Sequence, residues 1–484
     1  MSGHFWNGVL LDDRPTSRVE TTAAHIRDRV ASRALANGSR LPSVRELAAK
    51  LGVSKSTVVE AYERLAAEGA VVARRGAGFF VAGPHPRAPN AFAPAPEPAI
   101  DPSWINRHAM MGAADFLCPG AGWLPDSWVL DLGVQRALRF AARDDAQRRR
   151  QYDEPMGYAP LRRLFSMRLA ERDVLVDPDQ VIVTDSCSQA LDLVCRFLLA
   201  PNDTVVVDDP CYFNFLSLLK ASRAKIVATP MAPDGPDVDS LARLFAEHRP
   251  RLYLTNAGLQ NPTGATLSPA KAHRVLRLAE DHDVLILEDD TFGDFEQDPA
   301  IRLAGLDGLR RVVQVGSATK TVGAATRCGY IAARADWITP LVDLKLAVSM
   351  GNSATGAAMI HRVLTESNYR RHLDALRRRA ADAMGLALRN LRRHGLEPWT
   401  EPRAGIFVWA RLPDGIAAAD VARYSLARKV LFAPGPAFSA SDLGRGYLRF
   451  NVARCNEPRV YAMLDEAIAA ASKEIAPEPP AGQK

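Results

Sequence analysis

Residues 284–320 read VLILEDDTFGDFEQDPAIRLAGLDGLRRVVQVGSATK. Two short apolar, β-branched runs stand in it, Val284–Glu288 and Val312–Val315, and each ends in a polar cluster. The first cluster is EDDTF (288–292), and the second opens GSATKTVGAATR (316–327). Brief, uniformly apolar runs bounded in this way fit strands buried on both faces. The pattern recurs upstream, where DDPCYF (208–213) follows Thr204–Asp208 and NAGLQNPTG (256–264) follows Leu252–Thr255. Further runs occur at Val181–Thr184, Lys225–Ala228 and Gly329–Ala332, with amphipathic stretches such as Gln189–Leu199 and Ser268–Asp281 between runs. Strands alternating with helices predict an α/β fold, a mostly parallel sheet with helices on both faces. Such open sheets bind ligands at the carboxyl ends of their strands, so the four clusters are expected to line one cleft. After about Asp336 the pattern turns helical, then returns to short strands near Gly405–Leu412 and Gly446–Val452, which predicts a small C-terminal α+β subdomain.

Outward toward the N-terminus the character changes. From Ala82 to Trp104 the chain reads AGPHPRAPNAFAPAPEPAIDPSW, rich in Pro and Ala. Proline fixes its own φ and disfavours helix in the residue before it, so an extended linker is expected. The predicted division is a head at 1–82, a linker at 83–108, a body at 109–475 and a tail at 476–484. Within the head, residues 19–34 carry apolar residues at helical spacing. Then comes LPSVRELAAKLGVSKSTVVEAYERLAAEGAVVARRGAGFFV (41–81). Ser43 with Glu46 fits a capping box, Gly52 stops that helix, and Ser54 caps another with Val58, Ala61, Tyr62 and Leu65 on one face. Strands at Ala70–Arg74 and Gly78–Val81, joined across Arg75-Gly76-Ala77, complete a winged helix-turn-helix. Ser54, Lys55, Ser56 and Thr57 would then meet the major groove, with Arg45, Arg74 and Arg75 on the flanking phosphates. A three-helix packing module with surface charges fits the same pattern.

Size and composition bound the reading. At 484 residues the chain is too long for one core, and 47% hydrophobic with 24% charged residues is ordinary for a globular protein. No stretch approaches a membrane span, and MSGHFWNGVLLDDRP carries no secretory pattern. Six cysteines without a CxxC pair predict reduced thiols and a cytoplasmic location. The net charge is +6, of which residues 1–83 hold +4 from 12 basic and 8 acidic side chains. That bias suits DNA or simply a mildly basic surface.

Taken singly, the body's clusters have bland readings. Lys320 sits in a Ser/Thr/Gly loop where a solvated lysine is usual, Asp289 could cap a helix, and Asn261-Pro262-Thr263-Gly264 could be only a turn. Together they resemble the fold-type-I aminotransferases from about Ala109 onward. The resemblance implies pyridoxal 5'-phosphate bound as an aldimine on Lys320, with Asp289 on its pyridine nitrogen, Asn261 on its phenolic oxygen and Tyr212 stacked on the ring. It implies a phosphate cradle of Cys187, Ser188, Ser317, Thr319 and Arg327, and a carboxylate clamp at Arg449 in YLRFNVA (447–453). Two departures stand out. Phe292 replaces a tyrosine common in that family, and Ser186 in TDSCSQA (184–190) replaces a common glycine, which leaves the backbone at Cys187 and Ser188 open.

The head is similar to the GntR family of winged helix-turn-helix regulators, which implies DNA contacts at Arg45, Ser54, Lys55, Ser56, Thr57 and Gly76. A GntR-type head on an aminotransferase-like body is the layout of the MocR subfamily of regulators. That layout implies a homodimer reading a double-stranded operator and sensing pyridoxal phosphate or an amine or amino-acid effector, rather than a turnover enzyme. The alternative is an active aminotransferase with an appended DNA-binding domain.

Overall fold

The computed structural model describes residues 17–32, 34–74, 76–82, 100–111, 116–143, 152–256 and 258–475. The chain separates into two compact units, 1–97 and 98–484.

In the smaller unit, α1 (Arg18–Ala31), α2 (Val44–Leu51) and α3 (Lys55–Ala67) precede a hairpin of β1 (Val71–Arg74) and β2 (Gly78–Val81). The antiparallel register runs from Val71 opposite Val81 to Arg74 opposite Gly78. Ala23, Ile26, Leu47, Val58, Ala61, Tyr62 and Leu65 form the core, each facing inward from its helix. Ser43 accepts the Glu46 amide at 3.3 Å, but the Glu46 carboxylate pairs with Lys50 at 2.8 Å, so only half of the expected capping box forms. Gly52 ends α2 at a φ of +64°, the left-handed conformation that glycine adopts without a Cβ clash.

In the larger unit, the main sheet comprises β3 (Val181–Thr184), β4 (Thr204–Asp209), β5 (Lys225–Ala232), β6 (Gly235–Pro236), β7 (Leu252–Thr255), β8 (Leu285–Asp289), β9 (Val312–Ser317) and β10 (Gly329–Ala332). Its order is β3-β10-β9-β8-β7-β4-β5-β6. Strands β9, β8, β7, β4 and β5 are parallel, and β10 runs antiparallel to both β9 and β3. Alternate side chains enter different cores. Val181, Val183, Ile286 and Val312 pack on one face. Ile182, Leu285, Leu287, Val313 and Val315 pack on the other, which is why each strand reads as an unbroken apolar run. A second, antiparallel sheet of β11 (Glu397–Pro398), β12 (Phe407–Arg411), β13 (Ala433–Pro434) and β14 (Tyr447–Asn451) belongs to the α+β subdomain, with the order β11-β12-β14-β13.

One expected boundary moves. Of the linker expected at 83–108, residues 83–99 lie outside the described residues, and residues 100–108 belong to the larger unit. Trp104–Met111 forms a helix, α4, and Trp104 and Ile105 are buried against Phe213, Trp409 and Phe438. Two large apolar side chains gain more from that core than an extended linker could offer them. Among the described residues, no helix is long and apolar enough to cross a membrane.

Candidate functional site

The parallel strands deliver their polar ends to one place. Cys187 and Ser188 follow β3, Tyr212 follows β4, Asn261 follows β7, Asp289 ends β8 with Phe292 close behind, and Ser317, Thr319 and Lys320 lie at the end of β9. These residues, with Arg327 and Arg449, all line a single cavity of about 250 Å³. Of the EDD triplet only Asp289 does so. Glu288 accepts the backbone amides of Leu303 and Ala304 at 2.8 and 3.0 Å, while Asp290 is buried against Arg302 and Arg172 at 2.8 and 3.2 Å. The three acids in a row therefore have different tasks, two of them bracing the strand end that presents the third.

Lys320 is half-buried, and its Nζ donates to the Gly122 carbonyl at 2.8 Å, 5.4 Å from the Phe292 ring centroid. Burial lowers its pKa to about 8; the Arg449 cation adds to that shift and the Asp289 carboxylate opposes it. Asp289 itself is raised by burial, against hydrogen bonds from Thr291, whose amide donates at 2.9 Å, and from the Cys187 thiol at 3.5 Å. Asn256 donates to the Asp289 carbonyl and accepts the Asn261 amide at 2.8 Å, so one side chain ties the ends of β7 and β8 together.

Arg449 is a fully buried cation. It donates to Asn261 Oδ1 at 2.8 Å and to the Gly120 carbonyl at 2.7 Å, and its Nε has no partner among the described residues. Its guanidinium lies 4.3 Å from the Phe407 ring centroid and 4.7 Å from that of Phe438. Burial lowers its pKa to about 9, which still leaves a cation at neutral pH. A buried guanidinium held by neutral oxygens and aromatic faces is short of an anion. With Oδ1 of Asn261 engaged, the amide has its Nδ2 donor left to offer.

The backbone question at Ser186 has a plain answer. Its φ of −171° is extended, and its hydroxyl caps the Cys187–Leu198 helix by accepting the Gln189 amide at 3.0 Å. The N–H groups of Cys187 and Ser188 remain for an anion at that helix start. Gly329 makes the close approach possible, since a Cβ there would stand 2.5 Å from the Ser186 carbonyl carbon. The hydroxyls of Ser317 and Thr319 both donate to the Cys328 carbonyl, at 2.7 and 3.1 Å, and so brace the loop before Lys320.

Sequence reasoning missed the Gly120–Trp123 segment, Asn256, Thr291 and the α4 residues Ile105, Asn106 and Met110, several of which line the cavity. The glycine pair in CPGAGW (118–123) was a usable signal, because a Cβ at Gly120 would stand 2.4 Å from the Ala433 nitrogen.

In the smaller unit, Ser54 accepts the Thr57 amide at 3.1 Å, and Arg45, Ser54, Lys55 and Ser56 are exposed. Arg45 and Lys55 make no ion pair among the described residues. Gly76 is exposed at a φ of +75°, the Arg74 guanidinium stacks 4.5 Å from the Phe80 centroid, and Arg75 lies outside the described residues.

Residues 129–467 match the family model described as aminotransferase class I and II, and residues 18–81 match bacterial regulatory proteins of the gntR family. The uncharacterized HTH-type transcriptional regulator YdcR of Escherichia coli is 26% identical over 446 residues, covering 90% of this chain and 95% of the relative. YjiR of the same organism, another such regulator, is 27% identical over 451 residues, covering 90% and 95%. The crystal structure of LysN, an alpha-aminoadipate aminotransferase from Thermus thermophilus complexed with N-(5'-phosphopyridoxyl)-L-leucine, shares the fold. It aligns with a TM-score of 0.69 at 24% identity, over 76% of this chain and 95% of that one. The chain therefore belongs to the aminotransferase class I and II family and, with its gntR-type DNA-binding head, is built as a transcriptional regulator of the MocR type.

Proposed function

We propose that this regulator uses pyridoxal phosphate in the body cavity to sense an amino acid or related amine, and that the DNA-binding head reports the result. The observation that carries the proposal is the joint placement of Lys320, Asp289 and an anion-deficient Arg449 around one cavity in a chain that also has a DNA-binding head.

The residues present fit the cofactor. Arg327 and the amides of Cys187 and Ser188 supply positive charge for a phosphate, Asp289 offers a carboxylate, and Tyr212 an aromatic face. When bound, pyridoxal phosphate supplies an aldehyde for a primary amine and an electron-withdrawing ring. Lys320, with its pKa near 8, offers a partly neutral amine at physiological pH. Asp289 would hold a proton on the ring nitrogen, and the Asn261 amide would donate to the ring oxygen. The Ser317 and Thr319 hydroxyls hold the Lys320 loop, and by our reading they face the phosphate. The effector's carboxylate would satisfy Arg449. In the head, Arg45, Ser54, Lys55, Ser56, Thr57, Arg75 and Gly76 would contact operator DNA, and a cytoplasmic homodimer would read paired half-sites.

Visible absorption of the purified, cofactor-loaded protein, recorded across an amino-acid panel with and without a 2-oxoacid, tests this reading. A band that shifts with a particular amine without repeated turnover is the expected result. Sustained conversion to new amino acid would make the protein an aminotransferase first, and no band would remove the role of Lys320.

A further inference from the structure

The cavity holds few charges. Among the described residues lining it, four are charged, Asp289, Lys320, Arg327 and Arg449. The function proposed above, on which this inference rests, engages all four with the cofactor or with the effector's amino-acid head. Among the described residues, no cation is left for an acidic effector side chain and no carboxylate for a basic one.

Among the polar side chains of the wall that remain, Asn106 and Asn214 stand out because they lie on helices that touch. Ser103, just before α4, bonds Ser217 of the Phe213–Ala221 helix at 3.2 Å through their hydroxyls. One turn along each helix from that contact stand Asn106 and Asn214, both half-buried and both in the cavity wall. Neither side-chain amide has a hydrogen-bond partner among the described residues. Their chain neighbours Ile105 and Phe213 also line the cavity and are buried in one apolar cluster.

We infer that Asn106 and Asn214 form the side-chain subsite of the effector, and that the effector is a neutral α-amino acid whose side chain carries a hydrogen-bonding group, an amide or a hydroxyl. Amides offer both donors and acceptors, so they can match such a group at either polarity. A carboxylate brought here would lose its water and gain only neutral hydrogen bonds, which do not replace the hydration of an ion. A wholly apolar side chain would cover both amides and leave them without water or partner. The selection is therefore against charge on one side and against pure hydrocarbon on the other.

Calorimetric titration of the full-length, cofactor-loaded protein with near-isosteric probes tests the assignment. Glutamine, glutamate and methionine form one set, and asparagine, aspartate and leucine another. In the better-binding set, the amide member should exceed its acid and its hydrocarbon by about tenfold in affinity, about 1.4 kcal/mol. Asn214→Leu and Asn106→Leu should erase the advantage over the hydrocarbon while the visible cofactor band persists, which also reports an intact fold. Asn214→Asp should raise the ratio of lysine to glutamate affinity by about tenfold or more. Equal or tighter binding of the acids, or unchanged preferences in the variants, would overturn this inference alone. A protein with no visible band on loading would overturn the underlying reading of the site as well.

Discussion

Lys320 and Phe292 hold most of the chemistry that can be read at single residues. Burial makes the Lys320 amine easier to deprotonate, so its neutral form grows as pH rises through about 8 instead of near the ordinary 10.5. The rate at which cofactor-free protein takes up pyridoxal phosphate should rise with pH along a titration centred near 8. A rate still climbing through pH 10 would mean an ordinary, solvated lysine. Phe292 packs edge-on against Phe407, with ring centroids 5.1 Å apart, and offers no hydroxyl to the cavity. The Phe292→Tyr variant adds that donor, and a neutral hydrogen bond is worth about 1 kcal/mol, or roughly one pH unit. The pH at which the bound cofactor's visible band changes should fall by about that much, and an unmoved midpoint would show that the added hydroxyl finds no place on the ring.

At the scale of elements, the DNA-binding head depends on how α3 begins. Ser54 accepts the Thr57 amide, so the other amides of the first turn and the Lys55 ammonium are available to a phosphate. Replacing Lys55 by Ala should weaken binding to all duplexes by a similar factor and lower the slope of log affinity against log salt by about two for the homodimer, one for each head. An unchanged slope would place Lys55 away from the backbone. This start was legible in the sequence because helix caps are local, as were the strand-end clusters of β4, β7, β8 and β9. What escaped notice is long-range. The Gly120 carbonyl meets Arg449 across 329 residues, and the Gly122 carbonyl meets Lys320 across 198. Periodicity carries no trace of such contacts. Likewise α4 sat within a Pro/Ala-rich passage, and only burial of Trp104 and Ile105 against the distant Trp409 and Phe438 identifies it as part of the body.

For the whole molecule to act as a sensor, chemistry in one unit must change binding by the other. A ligand shifts such an equilibrium only through different affinities for two states, and couplings of this kind typically span about 5- to 150-fold. Helix α4 is the first described element after residues 83–99, and its Ile105, Asn106 and Met110 line the cavity. The most direct test uses a duplex selected from a random-sequence pool by the full-length protein. Its affinity is measured for the unaltered chain and for Lys320→Ala, first cofactor-free, then with pyridoxal phosphate, then with the amino acid that shifts the visible band. A change of about fivefold or more between these states is expected for the unaltered chain, and none for Lys320→Ala. One affinity in every state, with the visible band forming normally, would contradict it and leave the cavity without a regulatory role.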